Sequence, residues 1–269
     1  MQPSNVFHAP RFGAYFKKHI VDNYRLYLMS LIVLCGLILT VMLFAVFTSG
    51  ERPYTDGNPF YLVLLFIAGL IFTGFSFNQF SDKPKGVDYL LLPASHFEKF
   101  LTTWLITTVG FILVYNLAFY VSVLIASGLF SLREGKVDSY DWLHPFKKEF
   151  IVAFEAWFLA QAVIMLGSIY FTKFSLIKTL FFLILFVVLM GLVNMTMTNI
   201  LFGNRLAHWA SAIPFYGVQV AENGSKPFIN SRLLELPPFL LQTYDFVWRF
   251  LLAPVIWTLV YFRLKDKEI

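Results

Sequence analysis

Six long apolar runs divide the chain, and polar or mixed stretches of very different length separate them. They are Leu26 to Thr48, Phe60 to Phe77, Phe100 to Phe130, Ile151 to Phe171, Leu176 to Phe202 and Phe246 to Phe262. A helix needs roughly 20 predominantly apolar residues to cross the hydrocarbon of a bilayer, with some latitude on either side. The pattern therefore predicts an all-α, polytopic transmembrane bundle of six spans, organised as a single domain over residues 1–269. The third run is longer than a bilayer requires and predicts a helix that tilts or projects beyond the membrane.

Ahead of the first run, Phe12, Tyr15, Phe16, Ile20 and Tyr24 recur at helical spacing. Lys17, Lys18 and Asp22 fall largely on the other side, while Val21 and Asn23 interrupt the pattern. Residues 10–25 thus predict an interfacial helix, aromatic side down and lysines up. The plainer alternative is a simple extension of the first span. No short apolar core with a small-residue cleavage site is found there, so no removable signal peptide is expected.

The loops set the orientation. Residues 78–99 and the tight turn 172–175 fall on one side. Residues 49–59, 131–149 and the long 203–245 segment fall on the other. The first side, with both ends of the chain, holds 12 of the 21 Lys and Arg residues. Arg11, Lys17, Lys18 and Arg25 precede the first span, and Arg263, Lys265 and Lys267 follow the last. Basic flanks stay in the cytoplasm. Both termini are therefore expected inside, in a multi-pass protein of the cell (inner) membrane.

Composition sharpens this picture. Hydrophobic residues make up 58% of the chain and charged residues 14%, against roughly 45–50% and about 25% in soluble domains. An ordinary soluble enzyme is excluded. The net charge of +5 comes from residues flanking apolar runs, which suits anionic headgroups. No basic patch is interleaved with aromatics as single-stranded nucleic acid requires. Membrane lipids are expected partners and nucleic acid is not. The single cysteine, Cys35, lies within an apolar run and offers neither an internal disulfide nor a zinc pattern.

Three segments could carry function. In the 82–99 loop, Pro84 and Gly86 read as the end of the preceding helix. Ser95 and Glu98 fit a capping box that opens a helix running into the third span. Between them lie Val87, Tyr89, Leu90, Leu91 and Leu92, followed by Pro93. This stretch is too short to span, so it rests on the membrane or docks into a partner's groove.

In the 203–245 segment, two apolar stretches flank the turn Asn223-Gly224-Ser225. The first holds Trp209, Phe215 and Tyr216; the second holds Phe228, Leu233 and Leu234. They predict a hairpin dipping into the outer leaflet, where it could cap a pathway, or else a loop resting on the surface. Finally, Glu155 near the outer end of the fourth span is an intramembrane carboxylate. It is a candidate for a pathway or gating role, or a structural residue satisfied by solvent or by Arg249. Gln161 lies further along the same span. Asn116, Asn194, Thr196, Thr198 and Asn199 are expected to join helices through hydrogen bonds.

Much chemistry is missing. His8, His19, His96, His144 and His208 all lie away from mid-span, which disfavours haem. The chain has no H-E-x-x-H, no G-x-S-x-G, no paired glutamates on an inner helix and no G-x-x-x-x-G-K-[ST] loop. No catalytic residue, metal site or cofactor is expected, and the chain is not expected to be an enzyme by itself.

An interfacial N-terminal segment, six spans, a short apolar segment after span 2 and a long outer loop before span 6 form one layout. It resembles the membrane-spanning subunits of ABC transporters of the type-2 exporter class. The segment from Tyr89 to Lys99, Tyr-Leu-Leu-Leu-Pro-Ala-Ser-His-Phe-Glu-Lys, is similar to a loop in small permease-like proteins common in Bacteroidetes. The resemblance implies a second permease as partner, forming a homo- or heterodimer, and a separate cytoplasmic ABC ATPase that hydrolyses ATP. It also implies a coupling helix at Val87 to Leu92, an elbow helix at 10–25 and outer re-entrant helices at 205–241. It implies no particular cargo. A non-transport membrane scaffold, an assembly protein or a membrane enzyme is the alternative.

Overall fold

The computed structural model describes residues 6–48, 58–134, 148–171, 173–202, 212–213, 217–221 and 231–267. Most of the 49–59 and 131–149 loops, Trp209, the 214–216 segment, the Asn223-Gly224-Ser225 turn and Phe228 lie outside these residues. The chain divides into two compact units: Met1–Leu176 with Ile256–Ile269, and Ile177–Val255.

The first unit opens with α1 (Ala9–Asp22), which has Pro10 in its first turn, where its missing N–H costs nothing. Phe12, Tyr15, Phe16 and His19 lie on its covered side, whereas Ile20 and Tyr24 are exposed. The amphipathic face is thus rotated from the predicted one, because His19 rather than Ile20 turns inward. Asn23 ends this helix: its backbone N–H and its side-chain amide both donate to the His19 carbonyl, at 3.2 and 2.9 Å. Its own carbonyl accepts from the Tyr27 N–H at 3.1 Å. One residue therefore closes α1 and opens α2 (Tyr24–Thr48).

Helix α3 (Asn58–Gly74) is followed by a 3₁₀ turn, Asn78–Ser81, and by the short α4 (Lys83–Leu91). Pro84 sits in the first turn of α4 instead of ending its predecessor, again a position where proline lacks nothing. Leu92 is extended, as the residue before Pro93 must be. Helix α5 (His96–Trp104) then passes through a π-helical turn, Leu105–Gly110, into α6 (Phe111–Glu134). Helix α7 (Lys148–Tyr170) follows. Phe174, with φ of 54°, takes the left-handed conformation in the turn to α8 (Ser175–Phe202), and the Ser175 hydroxyl donates to the Gly74 carbonyl at 2.9 Å.

The core inside the spans is aromatic. Phe111 stacks on both Tyr115 and Trp157, with ring centres 5.8 Å apart in each pair. Tyr61 meets Phe119 edge-on, and the Tyr115 hydroxyl donates to the Tyr61 carbonyl at 2.7 Å. Asn116 accepts from the Tyr61 hydroxyl at 2.9 Å, so it joins α6 to α3, a helix-to-helix bond as expected. Gly69 lets α3 approach this stack: a Cβ there would lie 2.6 Å from the Trp157 indole nitrogen.

The second unit contains most of α8, whose apolar side chains are largely exposed. A three-stranded antiparallel sheet follows, made of β1 (Ala212–Ile213), β2 (Gly217–Ala221) and β3 (Ser231–Glu235) in that order. Val218 pairs with Ala212 on one side and with Leu234 on the other. The described residues between 212 and 235 are therefore strands and not the expected outer re-entrant helices, and the fold departs from all-α there. Runs such as Gly217-Val-Gln-Val-Ala alternate with the period of a strand. Helix α9 (Pro238–Phe246), a second π-helical turn (Val247–Leu251) and α10 (Leu252–Lys265) complete the chain, the last part of α10 returning to the first unit.

Among the described residues, five helical stretches are long and apolar enough to cross a membrane: Tyr24–Phe44, His96–Leu132, Ile151–Tyr170, Ser175–Leu201 and Pro238–Lys265. Phe60–Gly74 is a shorter apolar helix. Such an array of apolar helices fits a membrane-embedded protein.

Candidate functional site

At one end of the first unit, α1, the 3₁₀ turn, α4, the start of α5 and the ends of α7 and α10 share a second core. Tyr15, Phe77, Phe80, Tyr89, Met165, Ile169, Val260 and Leu264 are buried together there. This cluster explains why a nine-residue helix such as α4, too short to be stable alone, is held in place.

Tyr89 is the inward anchor of α4. It is 5% exposed, meets the Phe80 ring edge-on at 5.3 Å and lies beneath the Lys99 ammonium, 5.4 Å from the ring centre. A desolvated cation over an aromatic face is attracted by the ring quadrupole. Burial pushes the Tyr89 hydroxyl up to about 12, and it raises the neighbouring Tyr15 further. Leu92 is half-buried against the same cluster.

The opposite face of α4 is open. Val87 is 41% and Leu91 77% exposed, and Pro84, Asp88 and Pro93 are also exposed. Pro84, Val87 and Leu91 are three and four residues apart, so they line one helical face. Leu90 lies within α4. The predicted docking residues thus divide between an inward group (Tyr89, Leu92) and an outward group (Val87, Leu91, Pro93).

Ser95 and Glu98 form the predicted capping box. The Glu98 N–H donates to Ser95 Oγ at 3.1 Å, and the Ser95 N–H donates to Glu98 Oε2 at 2.9 Å. Glu98 does more than cap. Its side chain is fully buried and also accepts from Arg11 Nε and Nη2, at 2.8 and 2.9 Å, and from the His8 N–H at 2.8 Å. The Ser95 hydroxyl donates to the Val6 carbonyl. One carboxylate thus starts α5 and fastens the front of α1 to it. No local sequence signal could pair Arg11 with Glu98 across 87 residues.

The C-terminal end joins the same region. Lys267 donates to the Ile169 carbonyl at 3.2 Å and lies over the Phe80 ring, and the Arg263 guanidinium lies 4.7 Å from the Tyr170 ring centre.

Deeper in the spans, Gln161 links three elements. Its amide donates to Thr108 Oγ1 at 3.1 Å, with Thr107 Oγ1 at 3.3 Å, and its carbonyl accepts from Trp257 Nε1 at 3.0 Å. Both threonines belong to the first π-helical turn. Glu155 is half-buried on α7, whereas Arg249 pairs with Asp245 in its own helical stretch at 2.8 Å. They belong to different units. Thr196 and Thr198 bond to backbone carbonyls within α8. Among the described residues, no group of three or more His, Cys, Asp or Glu could hold a metal ion.

No family model, curated protein or solved structure matches the chain.

Proposed function

We propose that this chain is the membrane-spanning subunit of an ATP-driven exporter of the ABC type. It pairs with a second permease and docks a separate cytoplasmic ATPase through α4. The observation that carries this reading is the build of α4. It is a short helix standing on a buried tyrosine, fixed against the base of a span, with Val87 and Leu91 facing outward. A soluble partner inserting a groove over these side chains would push on α4, and Tyr89, Lys99 and Glu98 would pass that push to α5 and α1.

Six spans accompany this reading. Helix α3, with 17 residues, rises roughly 26 Å at 1.5 Å per residue, close to the hydrocarbon thickness of about 30 Å. Placing the α4 end inside the cell supports both termini being cytoplasmic. That end gathers Arg11, Lys17, Lys18, Lys85, Arg263, Lys265 and Lys267, as basic inside loops require.

The test is co-expression with an ATPase encoded beside this chain, followed by affinity purification. Val87→Asp and Leu91→Asp alter exposed side chains, so folding should be retained while the ATPase is lost from the complex. An ATPase complex that survives both changes would remove α4 as the docking element. No ATPase and no ATP-dependent flux would favour a scaffold or assembly role.

A further inference from the structure

A cavity of about 290 Å³ lies where α1 turns into α2. Its polar lining includes His19, Asn23, Asn78, Gln79 and Lys85, contributed by α1, the α1–α2 corner, the 3₁₀ turn and α4. Among the described residues, no carboxylate lines it. We propose that this cavity binds the phosphate of an anionic lipid headgroup.

The chemistry of the lining is biased toward donors. The Asn78 carbonyl oxygen is occupied by the Ser81 hydroxyl at 2.8 Å, which leaves its amide N–H groups to give. Among the described residues, the His19 ring meets the Tyr15 and Tyr27 rings with the Asp22 carboxylate acting on it from the same helix, and the Gln79 amide has no hydrogen-bond partner. The Lys85 ammonium has Asp82 at 3.5 Å, a long and exposed pair that contributes little. The Lys85 ammonium and the remaining Asn78 amide are donors only, and the Gln79 amide and the His19 ring can each add one, so an acceptor-rich, negative ligand suits the lining, and a phosphate is the compact species that fits.

Position and size narrow the ligand further. The cavity sits where an amphipathic helix meets an apolar one, the depth at which headgroups lie. Its volume is at the low end of ligand pockets, roughly 300–1,000 Å³, enough for a headgroup and too little for acyl chains. Leu26 and Phe75 also line it and are 49% and 57% exposed, so acyl chains can pass over them into the bilayer. The inference stands on the membrane-embedded reading of the helices and not on ATPase docking. A chain that binds no ATPase yet retains anionic lipid leaves it intact.

The test uses the full-length protein in detergent, titrated with phosphatidylglycerol or with phosphatidylcholine of the same chains and read by native mass spectrometry. Phosphatidylglycerol should be retained preferentially. Lys85→Glu and Gln79→Glu should each cut that preference about fivefold or more, since one cation near a lipid surface is worth about 1 kcal/mol. Lys17→Glu, on the exposed side of α1, should change it less than about twofold. Equal loss in Lys17→Glu and Lys85→Glu would reduce the effect to diffuse attraction and overturn the site, as would the absence of any preference.

A headgroup-photoreactive phosphatidylglycerol on the unmodified protein gives a reading independent of how the variants fold. Labels on peptides holding His19 or Gln79 support the site, and labels elsewhere overturn it. Glycerol phosphate that displaces the lipid at equal concentration would assign the cavity to a soluble phosphate ester and overturn the lipid headgroup.

Discussion

Arg11 and Glu98, 87 residues apart, form a forked ion pair in which Nε donates to Oε2 at 2.8 Å and Nη2 donates to Oε1 at 2.9 Å. The Glu98 side chain is fully buried while that of Arg11 is 29% exposed. Losing the carboxylate therefore strands Arg11 and two backbone N–H groups, whereas losing Arg11 strands only the carboxylate's outer contacts. Glu98→Ala should lower the thermal midpoint in detergent more than Arg11→Ala. Arg11→Lys should recover only part of the loss, because an ammonium cannot make both bonds with the same geometry.

Ser95→Ala isolates the cap from the ion pair. It should cost about 1 kcal/mol, the usual value of an N-cap hydroxyl, and should also loosen residues 6–8, since the Ser95 hydroxyl holds the Val6 carbonyl. Faster proteolysis ahead of α1 together with a small fall in midpoint would bear this out. An unchanged cleavage rate would count against it.

Gly69→Ala should destabilise by about 1–3 kcal/mol through overpacking. Its Cβ would lie 2.6 Å from the Trp157 indole nitrogen and 2.8 Å from the Phe111 ring, and stacked aromatic rings have little room to retreat. Gly128→Ala is the matched control, with nothing within 4 Å. It should be neutral or stabilising by helix propensity. Unfolding of both variants in one detergent compares them directly.

Burial in the α1–α2 corner lowers the pKa of His19, while Asp22 pulls weakly the other way. The opened state then binds a proton more readily than the closed one. Stability of the corner is full above the ordinary histidine value of about 6.5 and falls as pH drops through it toward the lowered value. The slope is at most about 1.4 kcal/mol per pH unit. Hydrogen exchange of α1 should therefore speed up between pH 7 and pH 5, beyond the intrinsic effect, and His19→Gln should flatten that dependence.

Tyr89→Phe and Tyr89→Ala separate the ring from its hydroxyl. The hydroxyl is buried without good hydrogen-bond geometry, so its removal should change stability little. Removing the ring leaves a cavity beneath Lys99 and should cost about 3–5 kcal/mol, the range for buried aromatics, with α4 the first segment to lose exchange protection.

The long apolar helices are legible in the sequence because an apolar stretch of sufficient length satisfies its own N–H and C=O groups most simply as a helix. The capping box is legible because Ser95 and Glu98 act over three residues. The features that escape a linear reading act over longer range or depend on context. Pro84 can close one helix or open the next, and here the core that receives Tyr89 favours opening. His19 takes the covered face in place of Ile20, with its ring against those of Tyr15 and Tyr27. The apolar stretches of the 203–245 segment suggest a hairpin, and only the resemblance implies re-entrant helices at 205–241; β2 has both neighbouring strands available, and pairing satisfies its backbone. The partners of Gln161 need the π-helical turn to bring Thr107 and Thr108 round together, and no residue pattern announces that turn.

That turn also fixes how two clusters share one rod. An inserted residue in a helix advances everything beyond it by about 100°. Lys99 over the Tyr89 ring and Tyr115 among the aromatic rings therefore keep their present bearings only while the extra residue stays. Deleting one residue between Leu105 and Gly110 would wind the rod back into even register, and either the Lys99–Tyr89 contact or the aromatic stack around Tyr115 would be left facing the wrong way.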